Sequence, residues 1–494
     1  MEGGRGAEAV VYHTLRETPW LGNAMAAQMK SPGSMRSRLA EFRLIPRLET
    51  FPRVVSFAQT EPGKVTLLAA FALGSRYFLP DFSSTLPLTF ILALITFMPE
   101  YRRFILAVAP IVFLVLKSFQ EPVLLGASLA VIALGILLYW CAMRWPKSRF
   151  GQRPVLFFLS GFTALIPLAC AVPPRSLPDL ILWALVGALA SYLWFICYAL
   201  ADRNSTPARD LTLEMATFHP VWGSPPTPFP KGAAYLRRIE AQTPEQLAIV
   251  QLKGLKLLAW AILLAVFQGL WNNFFHGYLG IPTAAQALEM SARGAPAAWH
   301  LRWESQILGF FEIILIFSIL GHRIIAACRM AGYNALRNTY RPLSSTTLAE
   351  FFNRFYYYFK ELLVDFFFYP AFLRYWKGHK RLRMAFATFA AAFFGNSFYH
   401  LTRDWQIIRD AGLWKAITSY QVLFFYNAFL ATGLCISQLR KRGPRASGFF
   451  RGRLVPALGV AFFYCMLNVF EADERVYPLV EHLRFLASLF FIHF

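Results

Sequence analysis

Charged residues are few in this sequence of 494, at 15%, and acids are fewer still, 27 against 49 lysines and arginines. A soluble protein of this length carries about 25% charged residues, so a water-soluble globule is excluded. Cysteine is sparse as well. Cys141, Cys170, Cys197, Cys328, Cys435 and Cys465 lie in or beside apolar blocks without a CxxC spacing, which speaks against disulfides and metal ligation and for packing. A phosphate-binding glycine loop, an HExxH pair and a GxSxG elbow are all missing, so nucleotide hydrolysis, zinc proteolysis and α/β-hydrolase chemistry have no support. No metal is implied. Nucleic-acid motifs are lacking too, which leaves the formal charge of +22 to another cause. No apolar run follows the first residues, so a cleavable signal peptide is not expected.

What is abundant is apolar surface. Hydrophobic residues make up 56% of the chain, mean hydropathy is +0.43, and phenylalanine alone occurs 49 times. They fall in blocks at 65–79, 86–98, 104–116, 122–143, 154–172, 177–201, 255–280, 305–327, 384–401, 414–437, 454–470 and 482–494. A perpendicular crossing needs about 20 helical residues, and only helices or closed barrels hide their backbone from lipid. The expected fold is all-α: a polytopic integral membrane protein with about 11–12 transmembrane helices plus a re-entrant or amphipathic helix. The blocks at 86–98, 104–116 and 482–494 are short and must extend into their flanks to cross.

The positive charge lies between blocks. Linkers 144–153, 374–383 and 438–453 carry four, five and six Lys or Arg and no acid. Loops 281–304 and 402–413 are balanced, and 471–481 is acidic. The bias sets the basic linkers and the N-terminus in the cytoplasm of a plasma or inner membrane, against anionic headgroups. The alternation closes only if 351–373 does not cross, because both its flanks are basic. Four regions follow from this pattern. Residues 1–64 read as a cytoplasmic N-terminal extension, disordered, and 65–201 as a front transmembrane bundle. Residues 202–254 read as a cytoplasmic connector around HPVWGSPPTPFPKG, with a short helix at 244–253. Residues 255–494 read as the core that holds the chemistry.

That chemistry concentrates in Asn338–Trp376 and Gly395–Trp405. An ionisable group within a membrane-grade run costs roughly 2.5–3.5 kcal/mol unless partnered. Taken as one helix from Glu350 to Asp365, the first stretch sets Glu350, Arg354, Glu361, Asp365 and Tyr357 within about 80° of one another, with Asn353 at the edge of that stripe. Phe352, Phe355, Phe359, Leu362 and Phe366 gather on the opposite wall. Glu350 and Arg354 neutralise each other at i,i+4. Glu361 and Asp365 repel unless Lys360, an arginine or a cation intervenes. The plainer account is an amphipathic helix with its polar face in water.

The run NTYRPLSSTTLAEFFNRFYYYF, followed by FYH at 398–400, resembles the two signatures of the membrane-bound O-acyltransferases. Arg341-Pro342, Ser344–Thr347, Glu350–Phe352 and Asn353–Phe355 carry the first, and His400 ends the second. Tyr356 stands where the family has a histidine or asparagine, Tyr399 where it has tryptophan, and Leu401 where it has glycine, as in a divergent member. The resemblance implies that His400 is a general base, taking a hydroxyl proton as that oxygen attacks an acyl thioester. It implies acyl-CoA or another acyl thioester as donor on the cytoplasmic side, a hydroxyl-bearing acceptor, and surrounding membrane lipids. An envelope protein partner is compatible with it, and no nucleic acid is.

Asn396 and Asp404, one turn either side of His400, are each placed to fix its tautomer. Asn353, Tyr356 and Tyr357 are the positional candidates for the first-signature role. Arg354 and Lys360 suit donor phosphates, and Glu361 and Tyr399 line the same region. His276, in WNNFFHGY, is the rival histidine, serving the same cavity or marking the outer interface. His322, beside Arg323, is expected at headgroups. A transporter with a polar re-entrant path, or an inactive scaffold of the same fold, fits the sequence as an alternative.

Overall fold

A segment surrounded by lipid must satisfy its backbone within itself, and a single stretch of chain does so only as a helix. The computed structural model describes residues 44–79, 82–118, 121–203, 211–440, 448–471 and 476–492. Among them the fold is all-α, with no strand and one isolated antiparallel bridge, Glu240 to Tyr333. Among the described residues, six helices are long and apolar enough to cross a membrane: Pro122–Arg144, Leu177–Asp202, Pro244–Tyr278, Trp299–Met330, Gln421–Leu439 and Phe450–Asn468. Thr85–Phe97 and Pro154–Cys170 are shorter apolar helices.

Local sequence explains where the helices begin. Proline occupies the first turn at Pro52, Pro122, Pro154 and Pro244, where its missing N–H is no loss. Ser176, Thr243 and Thr347 cap their helices through side-chain oxygens.

Two boundaries differ from the expected ones. Residues 52–59 and 61–75 are helices that pack into the bundle, and Lys256 pairs with Glu49. Helical packing thus precedes residue 65; residues 1–43, within the extension expected to be disordered, lie outside the described residues. The helix expected at 244–253 continues without a break into the next apolar block, passing through Gly254, where the helix lies so close to Ala326 and Arg329 of the neighbouring helix that a Cβ would crowd them. Other blocks are subdivided. The 384–401 block is Lys380–Phe389, a π turn Ala390–Gly395, and Asn396–Arg403. The 414–437 block is divided at Tyr420.

Among the described residues, three large hydrophobic cores form, beside a small cluster of Ala241, Leu247 and Val250. One gathers Phe71, Leu92, Leu257 and Ile325; a second Val131, Phe162, Leu193 and Trp194; a third Phe310, Leu430, Tyr464 and Phe485. The stretch 351–363 contributes to all three, through Tyr358, Phe359 and Phe351 respectively. His322 is buried rather than at the headgroups, because its helix Trp299–Met330 packs along Pro244–Asn272.

The front bundle meets the back through a close approach at Gly187. A Cβ there would lie 2.4 Å from Cζ2 of Trp405, whose indole stacks on Trp183 with centroids 6.1 Å apart. Gly187→Leu should destabilise the protein by about 1–3 kcal/mol through overpacking. Detergent-solubilised protein followed by intrinsic fluorescence on heating should show the lower midpoint, and Gly161→Leu, at a position with open space, should leave it unchanged.

Candidate functional site

The residues from Glu350 to Asp365 do not form one helix. Helix Leu348–Phe355 ends at Tyr356, whose φ of −136° and ψ of 69° break the turn, and a new helix runs Tyr357–Leu363 into a π turn Val364–Phe368. The break has a physical cause upstream. The Asn338 carbonyl accepts from the Tyr357 N–H at 3.0 Å, its side-chain oxygen accepts from the Tyr358 N–H at 3.3 Å, and the Thr339 hydroxyl donates to the Phe355 carbonyl at 2.7 Å. The extended 338–340 segment thus takes over backbone groups that a continuous helix would have paired internally. The single polar stripe expected from 100° periodicity is therefore two patches.

The first patch is Glu350 with Arg354, paired at 2.7 Å as the i,i+4 spacing requires. Arg354 also donates to Ser344 at 2.6 Å, and Glu350 accepts from the backbone N–H of Thr346 at 2.8 Å. Asn353 is exposed.

The second patch is largely, though not fully, buried. Glu361 and Asp365 share one cation, Lys231, whose Nζ lies 2.7 Å from a carboxylate oxygen of each. Lys360 pairs with the other Glu361 oxygen and sits over the Tyr357 ring at 4.9 Å. Tyr198 donates to Asp365 at 3.2 Å. Burial works against the Glu361 charge, but Lys360 and Lys231 outweigh it and hold this carboxyl well below the usual carboxylate range. Burial likewise opposes the Lys231 charge, and Asp365 and Glu361 outweigh it, holding the ammonium above the ordinary lysine value. Burial pushes the Tyr356 and Tyr357 phenols up, so both are neutral hydroxyls at physiological pH.

Lys231 comes from the Pro-rich connector, which enters the bundle. Phe229 is buried and stacks on Tyr356, with centroids 6.1 Å apart. Trp222 Nε1 donates to the Phe229 carbonyl at 2.6 Å. Thr227, fully buried, donates its hydroxyl to the Tyr399 hydroxyl at 2.8 Å. The connector's far end is pinned by Glu240, which lies 2.6 Å from Arg103.

Tyr399 links this region to His400. Its ring meets Phe359 edge-on at 4.7 Å and the His400 ring edge-on at 5.6 Å. His400 is half-buried. Asn396 turns its amide to Asn427, donating at 2.5 Å, and Asn427 donates on to Ser397 at 2.9 Å. Asp404 receives a two-pronged contact from Arg403, at 2.8 and 2.9 Å. The structure thus brings Tyr356, Tyr399 and His400 into one aromatic array, while Asn353 and Arg354 lie apart on the preceding helix.

His276 belongs to a different place. It sits in a π turn, Asn273–Tyr278, at the end of the long Pro244–Asn272 helix. Nδ1 lies 2.7 Å from the Ile281 carbonyl, and Nε2 lies 2.6 Å from the Glu312 carboxylate. A carbonyl only accepts, so Nδ1 carries a hydrogen, and one further proton lies between Nε2 and Glu312. The pair has zero net charge whichever partner holds that proton. It borders a cavity of about 330 Å³ that is also lined by Ile281, Gln286, Glu289, Met290 and Arg293.

Sequence reasoning found Lys360 as a partner for Glu361 but missed Lys231, Thr227 and Glu312. Lys231 lies in a loop that reads as solvated. Glu312 was legible as an acid within an apolar block, a signal of the same kind that singled out His276. No protein-family model and no curated protein matches the sequence.

Removing Lys231 leaves Asp365 without its cation one turn from Glu361, which keeps Lys360, so Lys231→Met should cost about 3 kcal/mol near neutrality. The Glu361 contribution is complete above the ordinary carboxylate pKa of about 4.3 and is lost as pH falls through its depressed value. The Lys231 contribution is complete below about 10.4 and is lost as pH rises through its raised value. Wild-type thermal midpoints should therefore hold between about pH 5 and 10 as far as this cluster is concerned. The Lys231→Met deficit should shrink toward pH 5 and in the double variant Lys231→Met/Glu361→Gln.

Proposed function

We propose that this chain is a membrane-embedded O-acyltransferase of the membrane-bound O-acyltransferase kind. It moves an acyl group from a thioester donor such as acyl-CoA to a hydroxyl on a lipid, saccharide or cell-envelope acceptor. The observation that carries the reading is the packing of the two signature pieces on each other, Phe359 against Tyr399, the residue next to His400. Pieces separated by some forty residues share one array, as a two-signature active site requires.

In this reading His400 takes the acceptor's hydroxyl proton while the oxygen attacks the thioester carbonyl. The C–O bond forms and the C–S bond breaks. The proton passes from the imidazolium to the departing thiolate, so ester and thiol are the products. Tyr356 and Tyr399, as neutral phenols near the ring, are the candidate donors to the developing oxyanion. The basic face supplies phosphate contacts for the donor. A carrier is the second reading, and the buried Lys231, Glu361 and Asp365 cluster favours it, because intramembrane charges commonly mark an ion path.

Purified protein in proteoliposomes, given radiolabelled acyl-CoA of several chain lengths and envelope lipid extract, should form labelled ester. His400→Ala should reduce that rate by about 100-fold or more while folding persists. No ester from any thioester, with His400→Ala indistinguishable from wild type, would overturn the reading, and solute flux through the same liposomes would replace it with the carrier.

A further inference from the structure

The cavity beside His276 is a second site, separate from the His400 array. We infer that it binds the zwitterionic headgroup of a membrane lipid, of the phosphoethanolamine class. The inference stands apart from the acyl-transfer reading.

Charge selects the ligand class. The His276–Glu312 pair is neutral in either proton arrangement, because Nδ1 is already committed to the Ile281 carbonyl. The remaining charged lining is one anion and one cation, Glu289 and Arg293, paired across one turn of helix Ala284–Ala292 and its cap. A net anion would meet Glu289, and a net cation would meet Arg293. A zwitterion meets both with opposite sign. Glu289 and Arg293 are about 6 Å apart along the axis, at about 1.5 Å per residue, and an exposed pair of this kind is worth only about 0–1 kcal/mol. A ligand carrying phosphate and ammonium replaces it one contact for one.

Position selects the source. The cavity borders the end of Pro244–Tyr278, an apolar helix of membrane length, and the end of a span is where headgroups are met. Phe274, Tyr278 and Leu279 of the same turn are exposed large hydrophobics. They offer acyl chains an apolar surface on the turn that carries His276, and Tyr278 has the amphipathic character of an interfacial residue. Gln286 is held by the helix cap at Thr283, so its place in the lining is fixed before any ligand arrives.

The test is native mass spectrometry of full-length protein, delipidated and then titrated with phosphatidylethanolamine or phosphatidylglycerol in mixed micelles. One phosphatidylethanolamine should bind per chain, more tightly than phosphatidylglycerol. Arg293→Ala and Glu289→Gln should each weaken it about tenfold, one charge-assisted contact apiece. Glu289→Gln should at the same time strengthen phosphatidylglycerol binding, which a merely structural role for Glu289 would not do. Arg293 is exposed and Glu289 half-buried, in an ion pair worth little to stability, so the variants should keep the wild-type thermal midpoint; a lowered midpoint is checked with Glu289→Asp or Arg293→Lys, which should restore phosphatidylethanolamine binding. Soluble glycerophosphoethanolamine should compete only weakly if the apolar rim contributes; full competition at equal affinity would assign the site to a free solute instead and overturn the lipid source. Equal affinity for both lipids, or binding indifferent to Glu289→Gln, would overturn the ligand class.

Discussion

Two like charges one turn apart within an aromatic bundle cannot persist without a cation between them, and Glu361 with Asp365 poses that problem at the centre of this protein. The answer comes from far away in the chain. Lys231 reaches both carboxylates at 2.7 Å, and to do so the connector must run into the bundle rather than across its surface. The rest of that loop follows the lysine inward. Phe229 fills space against Tyr356 and Tyr358, and Thr227 satisfies the Tyr399 hydroxyl. A buried ion pair of this kind is weak evidence for stability in itself, since desolvation offsets much of the attraction. Its structural consequence is the course of the loop, which runs inward so that Lys231 reaches both carboxylates.

The same region is where three hydrophobic cores meet. Phe351, Tyr358 and Phe359 belong to different cores, and a straight helix could not direct three such neighbours into three separate cores. The break at Tyr356 redirects the axis, and Asn338 with Thr339 satisfies the backbone groups the break exposes. The π turns at Val364–Phe368 and Ala390–Gly395 lie against each other on the two segments that carry the signature residues. Such turns are frequent at functional sites, and here they accompany the packing of the 357–363 helix toward Tyr399.

The two histidines that the sequence singled out differ in what their surroundings permit. His276 has both ring nitrogens committed, one to a carbonyl and one to a carboxylate, so it holds a turn closed and presents a neutral wall to the adjoining cavity. His400 lies beside a phenol at the end of an aromatic array. The first arrangement suits recognition of a bound group, and the second suits proton transfer.

Composition and block pattern alone determined the class of fold. Scarce charge, long apolar runs and the cost of unpaired backbone in lipid leave few alternatives to a helical bundle. The Glu350–Arg354 pair was equally legible, because i,i+4 contacts depend only on local geometry. The break at Tyr356, the partner of Glu361 and Asp365, and the pairing of His276 with Glu312 were decided by tertiary structure. Each depends on a residue from elsewhere in the chain: Asn338 on a neighbouring extended segment, Lys231 some 130 positions before Glu361, and Glu312 on the next long helix. Periodicity reports which residues share a face while the helix continues. It contains no information about the distant donor that ends the helix or the distant cation that neutralises that face, because those energies arise only once the chain has packed.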